Sequence, residues 1–138
     1  VIVTLSDSDI NNKQDLEGKK VAAQAGSTAV DAMNTEPEIV AKFDGGEPIL
    51  FDTNNEAFMD VEAGRSDAIV ADEVLARYYI KQKGPEKYKI LDEDFGDEEY
   101  GIGFRKQDKK LLEMVDNTLD EMRKDGSFDL IYEKWFGE

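Results

Sequence analysis

Two stretches of this chain place hydrogen-bonding groups where a strand gives way to a helix. Gly26-Ser27-Thr28 follows the small apolar run Val21-Ala22-Ala23-Gln24-Ala25. Asp72 follows Ala68-Ile69-Val70-Ala71, which is introduced by Gly64-Arg65-Ser66-Asp67. Gly26 permits a tight turn and lets a ligand approach the backbone. The N–H groups of Ser27, Thr28 and Ala29 would then be first-turn donors at the positive end of a helix, a place for a carboxylate or a phosphate. A carboxylate at position 72 can receive an ammonium through charge-assisted hydrogen bonds. An anion site beside a cation site suits a zwitterion such as an amino acid. Each feature also has a plainer reading, with Ser27 or Thr28 capping one helix and Asp72 capping the next at Leu75 or its neighbour. Gln24 is the last polar side chain before the turn, and its amide could read a ligand side chain or face solvent.

Composition narrows the chemistry. The 138 residues are enough for one domain with a real core. Net charge is −15, from 32 acidic against 17 basic residues. Such a field repels nucleic acid and anionic membranes, so neither is an expected partner. There is no cysteine, hence no disulfide, thiol catalysis or thiolate metal site. There is no histidine, the commonest general base and metal ligand. The acidic run of residues 92–99 lacks the Asp-x-Asp-x-Asp-Gly order of a calcium loop. No metal and no cofactor is expected. No apolar run reaches the length of a membrane span. The chain opens inside a strand, Val1-Ile2-Val3-Thr4, without a visible signal segment, as a fragment or processed piece would.

The elements that must position these groups follow from pattern. Residues 1–5 are a β-branched run and read as a strand. A polar stretch ends in a helical turn stopped by Gly18. Residues 21–25 read as a strand buried on both faces, as in a parallel sheet. A helix follows from Thr28, then another opened by Pro37 and ended by Gly45-Gly46. Residues 48–51 are a short strand. Thr53 and Glu56 form a capping box before a helix that Gly64 stops. Residues 67–71 are a second buried strand, with a helix after Asp72 whose inner side is expected to carry Val74, Leu75, Tyr78 and Tyr79. Gly84-Pro85 breaks it. Residues 88–91 and 100–104 read as further strands. Leu111, Val115, Leu119 and Met122 fall at helical spacing, and after Asp125-Gly126 and a Ser127 cap comes the dense stripe Phe128, Ile131, Tyr132, Trp135 and Phe136, expected as core. Alternating strands and helices predict an α/β class with a mainly parallel sheet flanked by helices. Residues 21–25 and 67–71 are expected as adjacent parallel strands, which would set Thr28 and Asp72 on one rim.

The residues also resemble a family. The run Asp15-Leu16-Glu17-Gly18-Lys19-Lys20-Val21, then Gln24-Ala25-Gly26-Ser27-Thr28, then Phe51-Asp52-Thr53 with Glu56-Ala57 is similar to type II periplasmic solute-binding proteins of the polar amino-acid class, the receptors of ABC importers. Glu62-Ala63-Gly64-Arg65-Ser66-Asp67-Ala68, Asp72, Tyr100-Gly101-Ile102-Gly103-Phe104-Arg105-Lys106, Asp125-Gly126-Ser127 and Glu133-Lys134-Trp135-Phe136-Gly137 continue it. The resemblance implies a single lobe of a two-lobe periplasmic-binding-protein-like fold. Residues 1–5 would be one hinge strand, 6–99 the second α/β lobe, 100–106 another hinge strand, and 107–138 helices returning to the first lobe. It implies that Gly26, Ser27 and Thr28 receive the ligand carboxylate, that Asp72 receives the α-ammonium, and that Gln24 lines the side-chain pocket. It implies a polar L-amino acid as ligand and an ABC transporter permease as partner. The place would be the periplasm or cell exterior, held to the membrane by the transporter or a lipid anchor in the full-length protein.

The first lobe's amino-terminal part, which in the family supplies an arginine and stacking aromatics, has no counterpart here. Half a clamp should bind more weakly than a whole one. The helices after residue 107 would then seek a first-lobe chain or a second copy of this chain. Two other functions stay open. One is an enzyme on the same fold, such as a cyclohexadienyl dehydratase, with Glu98 or Glu99 as general acid. The other is a dissected lobe that binds nothing. The sensor domain of a membrane receptor would read the same way.

Overall fold

The computed structural model describes residues 1–136; Gly137 lies outside them, as does the Phe136 side chain. The described chain forms two compact units, Val1–Glu98 and a second from Glu99 onward.

The first unit is a five-stranded sheet in the order β3-β2-β4-β1-β5. The strands are β1 (Ile2–Leu5), β2 (Val21–Gln24), β3 (Ile49–Phe51), β4 (Ala68–Val70) and β5 (Tyr88–Ile90). β2 pairs in parallel with both β3 and β4, whereas β1 runs antiparallel to β4 and to β5. Four strands therefore point one way and β1 alone the other. The expected adjacency of the strands at 21–25 and 67–71 is observed, with Val21 opposite Ala68 and Ala22 opposite Ile69.

Side chains alternate across a strand, and the two halves of the core follow that alternation. Ile2, Val21, Ala23, Ala68 and Val70 face one layer, with Ile10, Leu16, Met33, Phe43, Leu91 and Phe95. Helices α1 (Thr28–Met33) and α2 (Pro37–Val40) cover it, contributing Val30 and Ile39 from their inner sides. Val3, Ala22, Ile69 and Ala71 face the other layer, against Ala57, Phe58, Val61, Ala76 and Ile80 of α3 (Asn54–Glu62) and α4 (Glu73–Lys83). The alanines of β2 and β4 have little bulk, so helices approach the sheet closely on both sides. Thr4 is fully buried, and its hydroxyl donates to the Asp67 carbonyl oxygen at 2.8 Å.

Four expectations change. The inner side of α4 is Ala76 and Ile80, with Tyr79 half-buried; Leu75 and Tyr78 are exposed. The helix is turned so that a small alanine meets the sheet, and alanine carries little hydrophobic signal. Residues 100–104 form no strand. Glycines alternate there at 101 and 103, and no ladder partner exists among the described residues; an unpaired strand has no stability of its own. In the second unit, α5 (Lys109–Asp125) and α6 (Ser127–Phe136) pack on each other across Gly126, whose φ is 81°. The α6 stripe is not a core, because Ile131 and Trp135 are about half exposed at 50% and 51%. The Asp125 carboxylate, rather than the Ser127 hydroxyl, takes the first α6 N–H, at 2.8 Å.

Candidate functional site

In open α/β sheets ligands sit beyond the carboxyl ends of the strands. Here β2, β3 and β4 end side by side on one edge. The β2–β3 ladder closes with Gln24 opposite Phe51, and the Ala25 N–H donates onward to the Phe51 carbonyl at 2.8 Å. Carried forward, the two registers set Ala25 level with Asp52 on one side and Asp72 on the other. Neighbouring strands lie about 4.8 Å apart, so the turn after β2 and the N-terminus of α4 share one rim. The sequence-predicted residues Gln24, Gly26, Ser27, Thr28 and Asp72 are thereby gathered on adjacent strand ends.

Gly26 has φ 66°, the left-handed conformation that only glycine takes without strain, and a Cβ there would meet nothing. Ser27 holds the N-cap position of α1, yet its hydroxyl makes no cap bond. It donates back to the Gln24 carbonyl at 2.8 Å. The Ala29 N–H, which an N-cap side chain usually accepts from, is therefore not closed by the Ser27 hydroxyl. The plainer reading of Ser27 as an ordinary side-chain cap does not describe this turn.

Asp72 is a true cap. One carboxylate oxygen accepts from the Leu75 N–H at 2.7 Å, which fixes the side chain at the head of α4. Gln24 is engaged in both senses. Its Nε2 donates to the Asp52 carbonyl at 3.0 Å, and its Oε1 accepts from Asn54 Nδ2 at 2.8 Å. Asn54 escaped sequence reasoning. Its signal was available, since it is the first residue of a helix that follows a capping Thr53 at the end of the strand next to β2. Thr53 and Glu56 close the expected capping box, with the Glu56 N–H donating to Thr53 Oγ1 at 3.2 Å and the Thr53 N–H donating to Glu56 Oε2 at 3.1 Å.

The other carboxylates serve the fold. Asp67 accepts from the Lys20 N–H at 2.7 Å, tying the starts of β2 and β4. Burial opposes the charge on Asp60, but the Ser66 hydroxyl and Arg65 guanidinium, each 2.6 Å away, outweigh it and hold the carboxyl below its ordinary range. The Tyr88 hydroxyl, foremost, and the Tyr79 hydroxyl donate to Glu62 and lower it against the effect of burial. In return burial, reinforced by Glu62, pushes Tyr79 up to about 12 and raises Tyr88 further. In the acidic loop, Glu93 accepts from the Lys13 N–H at 2.8 Å and Asp94 from the Gly96 N–H at 2.9 Å, with Phe95 buried between them. No group of three or more potential metal-ligating side chains is assembled among the described residues. No helix among them is long and apolar enough to cross a membrane.

The five-stranded sheet with helices on both faces is of the periplasmic-binding-protein-like class, as its solved structural neighbours show. The chain belongs to the bacterial extracellular solute-binding proteins, family 3, whose model matches residues 1–138. It is similar to the L-cystine-binding protein TcyJ of Escherichia coli (strain K12), 31% identical over 132 residues, covering 96% of this chain and 47% of that protein. It is also similar to the L-arginine-binding protein of Pseudomonas aeruginosa, 33% identical over 130 residues, covering 90% of this chain and 49% of that one. This chain thus spans about half the length of the curated relatives it matches. Among solved structures, an ABC uptake transporter substrate-binding protein from Streptococcus pneumoniae with bound histidine superposes with a TM-score of 0.82 at 33% identity, over 99% of this chain and 56% of that one. An ancestral arginine-binding protein bound to glutamine gives 0.72 at 42% identity, over 99% and 59%.

Proposed function

We propose that this chain is the ligand-holding α/β lobe of an amino-acid receptor of an ABC-type importer. The observation that carries the reading is the parallel pairing of β2 with β4, which sets the Gly26-Ser27-Thr28 turn and Asp72 on one rim. Thr28 and its neighbouring N–H groups would take the α-carboxylate at the head of α1, where the helix dipole adds its positive end. Asp72, already fixed by the Leu75 N–H, would take the α-ammonium without further ordering of its side chain. Gln24 would face the ligand side chain. A polar L-amino acid fits this set, and the relatives that bind cystine, arginine and glutamine support it.

In this reading residues 1–5 and 100–106 are the crossovers to a first lobe, residues 6–99 form the second lobe, and residues 107–138 return to the first. The apolar stripes of α5 and α6 would be covered by that first lobe or by a second copy of the chain. The working partner is the permease of an ABC transporter. The place is the periplasm or the cell exterior, with a lipid anchor or the transporter holding the full-length protein to the membrane. No residue is assigned a catalytic role.

Titration calorimetry with L-arginine, L-glutamine, L-histidine and L-cystine tests the reading, on the chain alone and with a first-lobe chain added. Saturable binding of at least one, tightened by the added lobe, is expected. Asp72→Asn should weaken it by roughly 1.5–3 kcal/mol, the value of a hydrogen bond to a charged group, while asparagine caps as well as aspartate and keeps the fold. Absence of binding in both formats overturns the proposal. Unchanged affinity in Asp72→Asn reduces Asp72 to a cap.

A further inference from the structure

A carboxamide normally offers a ligand two nearly equivalent faces, because rotating it by half a turn exchanges oxygen for nitrogen at little cost. Gln24 does not have that freedom. Its Nε2 meets the Asp52 main-chain carbonyl at 3.0 Å, an atom that can only accept. The nitrogen is therefore committed to that side, and the oxygen is turned toward Asn54, whose Nδ2 donates to it at 2.8 Å. The lock spans two strands, since Gln24 closes β2 opposite Phe51 of β3, and Asn54 opens the helix that follows β3. Both side chains are half-buried. Each amide keeps part of its hydrogen-bonding capacity, one N–H and one lone pair on Gln24 and the oxygen of Asn54.

We infer that Asn54 is a specificity-setting positioning residue of the amino-acid site, acting through Gln24 by fixing which end of its amide meets the ligand side chain. The inference rests on the amino-acid reading above. It also names a class of side chain. The three rim segments, residues 24–29, 51–55 and 71–74, carry Asp52, Asp72 and Glu73 and neither lysine nor arginine. Neutral or cationic side chains that donate hydrogen bonds suit such a rim. Glu73 is paired with Arg77 at 2.8 Å, so a ligand with an acidic side chain would meet like charge chiefly from Asp52 and Asp72.

Asn54 is the first residue of α3, so its replacement by aspartate suits the helix dipole and leaves the capping box of Thr53 and Glu56 in place. Asn54→Asp keeps the shape and removes the donor; Asn54→Leu removes every polar atom. The test is an NMR titration of the protein and both variants with L-glutamine, L-arginine and L-glutamate, following Thr28, Asp72 and the Gln24 side-chain amide. Wild type should favour glutamine or arginine over glutamate. In both variants the Gln24 amide resonance should move before any ligand is added. The ratio of affinities between glutamine and arginine should then change by a few-fold to about tenfold, the equivalent of one hydrogen bond. Equal weakening toward all three ligands, or an unmoved Gln24 resonance, overturns the positioning role. A wild-type preference for glutamate overturns the side-chain class alone. If wild type binds none of the three, nor L-histidine nor L-cystine, with or without a first-lobe chain, the amino-acid reading falls and the inference with it.

Discussion

The two units of this chain treat apolar side chains in opposite ways. In Val1–Glu98, Ile2, Leu16, Phe58 and Ile69 are shut away from water between a sheet and two helical layers. From Glu99 onward no described residue reaches that degree of burial, and Leu130, Ile131 and Trp135 stand half exposed or more. Both units carry regular helices. Periodicity builds an element in either case, but only layers on both sides of a sheet close a core. A two-helix hairpin offers each apolar stripe a single neighbour.

The contrast can be broken most directly in the core. Phe58→Ala should destabilise the first unit by about 3–5 kcal/mol, because Phe58 is fully buried and its ring stacks on Tyr79 with centroids 4.1 Å apart. Urea unfolding followed by circular dichroism reads this loss. Trp135→Ala should cost the same unfolding transition less than about 1 kcal/mol. Comparable losses for the two would erase the distinction between the units.

Removing the charge on Asp60 should have a smaller effect. Asp60→Asn leaves Arg65 and Ser66 with a weaker acceptor, a loss of about 1–3 kcal/mol. The folded carboxyl is held below its ordinary value of 3.8, so its contribution is present above that pH. It disappears as pH falls through the folded value. An acid titration of stability should show this component in wild type and lack it in the variant.

At the alkaline end the sign reverses. Tyr79 and Tyr88 stay protonated in the folded state beyond their ordinary value of 10, Tyr79 up to about 12. Their contribution is complete below pH 10 and is lost as pH rises toward 12. Ultraviolet phenolate titration should show two late-ionising tyrosines among the five, and Glu62→Gln should bring them earlier. Ionisation of Tyr79 and Tyr88 near pH 10 would contradict the Glu62 cluster. Thr53→Ala should cost about 1 kcal/mol through the lost capping box.

The same contrast explains what the residue pattern disclosed. β2, β4 and the capping box of α3 were legible because glycines, caps and small apolar runs act locally. The strand ends were legible as neighbours for the same reason, since a glycine turn and a carboxylate after buried runs need no distant partner to be recognised. The face of α4 was not legible. Ala76 lies inside because the sheet and the Phe58–Tyr79 stack set the rotation of that helix, and neither is encoded in its own hydropathy. The antiparallel course of β1 was hidden too, because a strand's direction is decided by partners far along the chain. Residues 100–104 failed as a strand because two glycines weaken the run and no ladder partner exists among the described residues. Asn54 and Gln24 were each readable as polar residues at a strand end, but their bond depends on a register between β2 and β3 that no local signal contains.

The central position of β1 bears on tempo. Its ladder neighbours are β4 and β5, and Thr4 reaches Asp67 across 63 residues of chain. Closing loops of that length before any reward arrives is the slow part of making such a sheet. The α5–α6 hairpin needs only neighbours close in sequence and can form within microseconds. On a ribosome, where residues emerge in order, β1 must wait unpaired until β4 and β5 have been synthesised. The β4–β1–β5 half of the sheet therefore closes only once residues 68–90 have emerged, later than the β2–β3 pair that begins the rim.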